Sequence, residues 1–187
     1  MSEALQQGDA SIRASRERFV ALWGQMGSNW GIPRTMAEVH ALLFIRGKPM
    51  NTDEVMDALD ISRGNASMTL RNLVDWGIVQ RVHRRGDRKE YFEAEQDVWK
   101  LFRTILRERK RREIDPLIHQ LRECRAGGSA EADVEKDGES AAAHNARLEE
   151  LLSFLALVDL MCQEILQPGE GSADAMELAA RFMERET

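Results

Sequence analysis

Hydrophobic residues recur at helical spacing along most of this chain. Between Ile12 and Met26 they fall on one side of a helix, which predicts an amphipathic helix that Gly27 ends. A second such run follows Pro33, a residue suited to the first turn of a helix, and continues to about Arg46. The chain is therefore predicted to begin with two helices joined by a short, glycine-containing turn.

Two shorter helical patterns come next, separated by a tight turn. Thr52 is placed to cap the first of them, which is predicted to end near Leu59. Asp53 and Glu54 suit the positive end of its helix dipole. Ser62 is placed to cap the second helix, whose predicted inward face is Ala66, Leu70, Leu73 and Val74. This arrangement is typical of a helix-turn-helix.

The periodicity then changes from helix to strand. Residues 78–83 and 89–94 are rich in β-forming side chains and flank a basic turn that contains Gly86 and Asp87. We expect Asp87 to order this turn through an ion pair with Arg88. A hairpin directly after a helix-turn-helix is a wing. The predicted fold class is therefore mainly α, a winged helix-turn-helix with a small β-hairpin wing and additional N- and C-terminal helices.

The rest of the chain is predicted to be helical, with one interruption. Residues 97–124 follow a helical pattern that Asp115 and Pro116 divide into separate or kinked segments. Residues 126–140 are small and acidic and lack periodicity, as in a flexible loop. The remaining predicted elements are a long helix over 141–166, a turn at 167–171 and a short closing helix at 172–185.

Charge is unevenly distributed along the chain. The formal net charge of −6 would by itself disfavour a nucleic-acid partner. Residues 62–112, however, carry 14 basic and 7 acidic side chains, a net charge of +7, whereas residues 113–187 carry a net charge of −11. Because salt confines electrostatic effects to about 10 Å, the local excess decides which partner is attracted. The segment with the helix-turn-helix and wing is therefore a candidate surface for an anionic partner.

Residues opposite the inward face of the second short helix are of the types that read DNA. Arginine can donate two hydrogen bonds to guanine, and asparagine can pair in the same way with adenine. With the capping serine, these candidates are Ser62, Arg63, Asn65, Ser67, Met68, Arg71 and Asn72. The wing candidates for phosphate or minor-groove contact are Arg84, Arg85, Arg88 and Lys89. The alternative interpretation is an ordinary solvated helix face.

Several runs of residues resemble one family of transcription factors. These runs are residues 30–34, the string from Leu59 to Leu73, residues 76–79 and residues 86–89. They are similar to the glycine betaine synthesis repressor branch of the MarR-type winged-helix regulators. The resemblance spans roughly residues 20–120. It implies a homodimeric repressor with its recognition helix at 62–76, DNA contacts from Asp87 and Arg88 in the wing, and N- and C-terminal helices that form the dimer interface.

Apolar surface independently predicts a dimer. The helices predicted at 12–26, 97–124 and 141–166 carry more apolar residues than a small winged helix can cover. A two-fold dimer would read two half-sites about 34 Å apart. We accordingly expect three parts, namely an N-terminal dimerisation helix (1–30), a winged-helix DNA-binding domain (31–96) and a C-terminal dimerisation or regulatory region (97–187).

Other chemistry finds little support in the sequence. The four histidines are scattered, and no nucleophile, phosphate-loop or dinucleotide motif is present, so we expect neither an enzyme nor a metal or cofactor. Cys124 and Cys162 lack a disulfide pattern and are expected to be small buried residues in a reducing cytoplasm. The N-terminus does not resemble a signal peptide, and no apolar run is long enough to span a membrane.

Three tryptophans admit two interpretations. Trp23, Trp30 and Trp99 either pack in the core near the dimer interface or form an aromatic cage for a quaternary ammonium ligand. The resemblance points to the second possibility, because the protein that gives the branch its name senses choline-type compounds. The spacing of the tryptophans does not decide between them.

Together these features predict a cytoplasmic, homodimeric repressor that binds a pseudo-palindromic operator in double-stranded DNA. A small-molecule effector would act by changing the distance between the two recognition helices. The alternative is a winged helix whose basic face docks an acidic protein partner.

Overall fold

The structure is a computed structural model that describes residues 2–124 and 141–167. The chain divides into two compact units, residues 1–101 and residues 102–187. The helices of the first unit are α1 (Ser2–Asn29), α2 (Arg34–Arg46), α3 (Thr52–Leu59) and α4 (Arg63–Asp75). Helix α5 (Val98–Arg109) begins in the first unit, and α6 (Asp115–Glu123) and α7 (Ala141–Leu166) belong to the second. These bounds confirm the predicted helix-turn-helix and the long helix over 141–166.

A small antiparallel sheet completes the first unit. Its strands are β1 (Met50–Asn51), β2 (Val79–His83) and β3 (Glu90–Ala94), in the order β1-β3-β2. The β2–β3 pair is the predicted wing hairpin. Strand β1 was not predicted, because two residues are too few to show an alternating pattern. It pairs Met50 with Phe92 and Asn51 with Tyr91, and so joins the chain before α3 to the base of the wing.

Helix α1 does not end at Gly27 as predicted. It continues to Asn29, and Gly27 is buried against α2. A Cβ atom at Gly27 would lie 2.5 Å from the Cβ of Ala37, far inside normal contact distance. The absence of a side chain at Gly27 therefore allows α1 and α2 to pack closely and does not end α1. This role cannot be predicted until the position of α2 is known.

The core of the first unit brings α2, α3 and α4 together. Its fully buried larger side chains are Val39, Leu43, Val55, Leu70 and Leu73. On α4 the predicted inward positions Ala66, Leu70 and Leu73 are buried, whereas Val74 is only half-buried. Thr69 is also buried. A hydrophobic pattern does not predict its burial, because threonine is polar. Its hydroxyl donates a hydrogen bond to Asn65 Oδ1 at 3.3 Å.

Helix α3 is capped by Asn51 rather than by Thr52. The Asn51 side chain accepts a hydrogen bond from the Glu54 amide at 3.1 Å, and Glu54 Oε2 accepts one from the Asn51 amide at 2.7 Å. This reciprocal capping box satisfies two backbone donors at the helix start. The helix ends at Leu59, as predicted, and Asp60 then adopts the left-handed conformation that turns the chain toward α4.

The second unit contains the predicted interruption near Asp115 and Pro116. A π-helical segment over Lys110–Ile114 links α5 to α6. Lys110 Nζ lies 2.6 Å from Asp115 Oδ1 and 2.7 Å from Asp159 Oδ1, so it joins this segment to α7. The side-chain amide of Gln163 donates to the other Asp159 oxygen at 2.6 Å. Helix α7 is thus held against the π-helical segment by one ion pair as well as by packing.

Several other predictions concern single residues or segments. Cys162 is buried as expected, but Cys124 is exposed because it lies at the end of α6. The predicted loop at 126–140 and helix at 172–185 lie outside the described residues. No helix within the described ranges is long and apolar enough to cross a membrane. Within the same ranges, no group of histidine, cysteine or acidic residues could hold a metal ion.

Candidate nucleic-acid interface

Helix α4 presents most of the predicted DNA-contact residues on its outer face. Ser62 caps it, with Oγ accepting a hydrogen bond from the Asn65 amide at 3.3 Å. The exposed candidates are Ser62, Arg63, Met68, Arg71 and Asn72, and Asn65 and Ser67 are half-buried. The structure therefore brings the helical candidates onto one continuous surface.

Arg71 folds back along its own helix. Its Nε donates to the Ser67 carbonyl and its Nη2 to the Ser67 hydroxyl, both at 3.3 Å. Both bonds are long and exposed, so they hold the guanidinium weakly. A guanine edge could replace them at little cost, because it offers two acceptors in the geometry that arginine prefers.

The wing turn is ordered by Asp87, but not through the predicted ion pair with Arg88. Asp87 Oδ1 accepts a hydrogen bond from the Lys89 amide at 2.9 Å, and Oδ2 accepts one from the Tyr91 hydroxyl at 2.7 Å. These two bonds hold the pKa of Asp87 below its usual value. Gly86 supplies the positive φ of 88° at which the turn reverses.

The four wing cations differ in how the protein holds them. The Arg84 guanidinium lies 4.0 Å from the centre of the Tyr91 ring and donates to the Pro49 carbonyl at 3.0 Å. Arg84 therefore ties the wing to the segment before β1. The side chains of Arg85 and Arg88 are exposed and have no ion-pair partner in the part of the chain that the structure describes. They are the wing cations best placed to meet phosphate.

Asp53 of α3 joins the recognition helix to the wing. One of its carboxylate oxygens pairs with Arg63 Nη2, and the other lies 3.1 Å from Lys89 Nζ. Hydrogen bonds from Lys89 and Arg63 lower the pKa of Asp53. The hydrogen bond between Lys89 and Asp53 also raises the pKa of Lys89. From the sequence, Asp53 is predicted only to be a favourable charge at the start of a helix. Its cross-links were invisible because they join positions 10 and 36 residues apart.

The region with this geometry matches a known family. Residues 30–90 match the model of the MarR family. These 61 residues are therefore similar to a MarR-family domain. The match includes α2, α3, α4 and the wing as far as the first residue of β3, and so covers every candidate DNA-contact residue described above.

Two regulators of Bacillus subtilis (strain 168) are similar to the chain. The HTH-type transcriptional repressor OpcR is 26% identical over 94 residues, which cover 50% of this chain and 51% of OpcR. The HTH-type transcriptional repressor GbsR is 26% identical over 127 residues, which cover 68% of this chain and 67% of GbsR. The chain thus spans only about half the length of OpcR. The GbsR match agrees with the branch that the sequence motifs indicated.

A solved structure supports the fold. A crystal structure described as that of a transcriptional regulator matches with a TM-score of 0.58 at 20% sequence identity. The match covers 81% of this chain and 95% of the other. At this level of identity the comparison shows a shared fold and nothing further.

The three candidate tryptophans have different surroundings in the first unit. The Trp23 ring lies 5.6 Å from that of Phe19 and 6.3 Å from that of His40, so it is part of an aromatic cluster. Trp30, the first residue of the family match, is 63% exposed, and Trp99 at the start of α5 is 36% exposed. The cluster continues from His40 to Phe44 at 6.2 Å. This supports a packing role for Trp23.

His40 is a buried residue that the sequence did not single out. It is 3% exposed, and its Nε2 has no hydrogen-bond partner among the described residues. Burial lowers the pKa of His40 to about 4. The imidazole is therefore neutral at physiological pH, because a charge at this position would lose its hydration without gaining a partner.

Proposed function

We propose that this protein is a DNA-binding transcriptional regulator, acting in the cytoplasm as a homodimeric repressor at a pseudo-palindromic operator. The observation that carries the proposal is the surface of α4 and the wing, on which five side chains are exposed, namely Arg63, Arg71, Asn72, Arg85 and Arg88. The similarity to the repressors OpcR and GbsR supports it. In this arrangement α4 enters the major groove, and the wing contacts the adjacent backbone or minor groove.

Recognition divides between the two elements. Arg63, Asn65, Arg71 and Asn72 offer hydrogen bonds to base edges, and Ser67 and Met68 add shorter polar and apolar contacts. Ser62, together with the amides at the start of α4, suits a phosphate. Arg85 and Arg88 neutralise phosphates whatever the base sequence, and Lys89 does so once it is released from Asp53.

Substitutions in the two elements should therefore have different effects on binding. Arg71→Ala is expected to cost about 1–3 kcal/mol of binding free energy at the selected site and to relax the preference at one base position. Arg85→Ala should weaken binding to the selected and the random duplex by the same factor. It should also reduce the slope of log affinity against log salt concentration by about one unit. The measurement is fluorescence anisotropy with a duplex selected by the wild-type chain from a random library.

Arg122→Ala is the control for a lost positive charge, because Arg122 is exposed on α6 of the second unit. It should leave both affinities within about twofold of wild type. Wild-type protein that binds no duplex at low salt would refute the proposed function and favour a winged helix that docks an acidic protein. Equal affinities of all three variants for both duplexes would refute the residue assignment.

The dimer is supported by an apolar surface on α7. Five large side chains of this helix are 43–59% exposed, namely Leu151, Phe154, Leu157, Leu160 and Met161. Helices exposing this much apolar surface usually bury it in an interface. The wild-type chain should sediment as a dimer at micromolar concentration, and Phe154→Glu should shift it toward monomer. Ser153→Glu is the control on the same helix; a wild-type monomer would contradict the dimer.

A small-molecule effector remains a prediction from the family resemblance. Trp23, Trp30 and Trp99 are its candidate residues, with a quaternary ammonium compound as the conceivable ligand. Repeating the selection of DNA in the presence of choline-type compounds tests this. An effector would change the yield of bound duplex, and an unchanged yield with each compound would count against the assignment.

A further inference from the structure

We propose that Asp53 determines how selectively this protein binds its operator, by holding Arg63 and Lys89 in place and away from indiscriminate phosphate contact. This inference rests on the proposed DNA-binding function. Asp53 lies on α3, Arg63 on the first turn of α4 and Lys89 immediately before β3. One carboxylate therefore links the three elements that form the DNA-facing surface.

The two linked cations lie at the positions where DNA contact is decided. Base edges are read mainly by the N-terminal turn of a recognition helix, which is where Arg63 lies. Lys89 follows the wing turn directly, and its backbone amide is fixed by Asp87. Because each cation binds a different oxygen of Asp53, a shift of the wing changes the environment of Arg63 as well. Asp53 therefore couples the position of Lys89 in the wing to that of Arg63 on the recognition helix.

The strength of these contacts suits an exchange with DNA. The side chains of Asp53, Arg63 and Lys89 are 40%, 69% and 55% exposed. Ion pairs at such exposure contribute little to stability, and salt screens them. Phosphates of a correctly placed operator can therefore displace the Asp53 carboxylate from Arg63 and Lys89. Phosphates in other positions meet two cations that Asp53 partly neutralises, and they are repelled by its negative charge. Asp53 thus reduces binding to random DNA more than binding to the operator.

Removal of this charge should change selectivity in a measurable direction. In Asp53→Asn, Arg63 and Lys89 are released to bind any phosphate within reach, so affinity for a random duplex should rise about three- to tenfold. The slope of log affinity against log salt should become steeper by about one to two units per chain, since each new phosphate contact adds about 0.9. Affinity for the selected duplex should stay equal or fall, because the coupling between Lys89 and Arg63 is lost. The ratio of the two affinities should fall about tenfold.

Asp57→Asn is the matched control. Asp57 lies on the same helix, is exposed, and makes no ion pair or hydrogen bond within the described residues. Asp57→Asn removes the same charge without releasing Arg63 or Lys89. The affinities for the selected and the random duplex should therefore change by a similar small factor, and their ratio should be retained. Asp53→Glu keeps the charge and should retain most of the selectivity. Asp53→Ser, which suits the first turn of a helix, provides a second removal if Asp53→Asn folds poorly.

The experiment measures the affinity of each variant for two duplexes over a range of salt concentrations. One duplex is enriched from a random library by the wild-type chain, and the other is its shuffled counterpart of equal length and composition. A reduced ratio with a steeper salt slope in Asp53→Asn supports the proposal. A ratio equal to that of Asp57→Asn would overturn it while leaving the DNA-binding function intact. Failure of the wild-type chain to bind either duplex would instead refute the proposed function.

Discussion

Leu70→Ala is expected to lower the free energy of unfolding by about 2–5 kcal/mol. Leu70 is 1% exposed and lies on the inner face of α4, close to the fully buried Leu73. Truncation removes the favourable burial of three methyl or methylene groups and leaves a cavity that the close-packed α2 and α3 cannot easily fill. Because the loss lies beneath the candidate DNA-facing surface, the proposed DNA binding should weaken as stability falls. Chemical denaturation followed by tryptophan fluorescence gives the free energy.

Met68→Ala is the control for the Leu70 prediction. Met68 lies on the same helix two positions earlier but is 57% exposed. Its truncation should change the free energy of unfolding by less than about 0.5 kcal/mol, as surface substitutions generally do. Any effect of Met68→Ala on DNA binding would then reflect a lost contact. Equal destabilisation by the two variants would show that the inward face of α4 has been misplaced.

His40 should make the fold sensitive to mild acid. Its pKa falls from 6.5 to about 4 on burial, so between these values the unfolded chain binds a proton that the folded chain does not. Stability due to the neutral imidazole is therefore fully present above pH 6.5 and is lost as the pH falls toward 4. A shift of this size corresponds to about 3 kcal/mol in the free energy of unfolding. Denaturation at a series of pH values measures it.

His40→Leu isolates the histidine from other groups that titrate in acid. Leucine cannot ionise, and it replaces a ring whose Nε2 has no hydrogen-bond partner in the described part of the chain. The variant should be as stable as wild type near neutral pH. Its free energy of unfolding should fall much less than that of wild type between pH 6.5 and 4. His144→Leu, an exposed histidine of α7, should leave the decline unchanged. An identical pH profile for wild type and His40→Leu would contradict the buried, neutral state.

The candidate DNA-facing surface could be read largely from local pattern. Ser62 as the cap of α4, the inward positions Ala66, Leu70 and Leu73, and the hairpin that follows all depend on residues close together in the chain. Helical and strand periodicities are local properties, and the charge excess in the same segment is visible in the composition. The sequence alone therefore determined the winged helix-turn-helix and the outer face of its recognition helix.

Contacts between distant residues required the tertiary structure. Gly27 was interpreted as a helix end because its neighbour Ala37 is unknown until α1 and α2 are packed. Arg84 stays a predicted DNA contact, and only the structure shows that its guanidinium also lies on the Tyr91 ring and donates to the Pro49 carbonyl. Asp53 acquired its role only when folding brought Arg63 and Lys89 to its two oxygens. The sequence determined which cations belong to the candidate surface. Tertiary packing decided which of them the protein already holds, because ion pairs form between residues that are close in space.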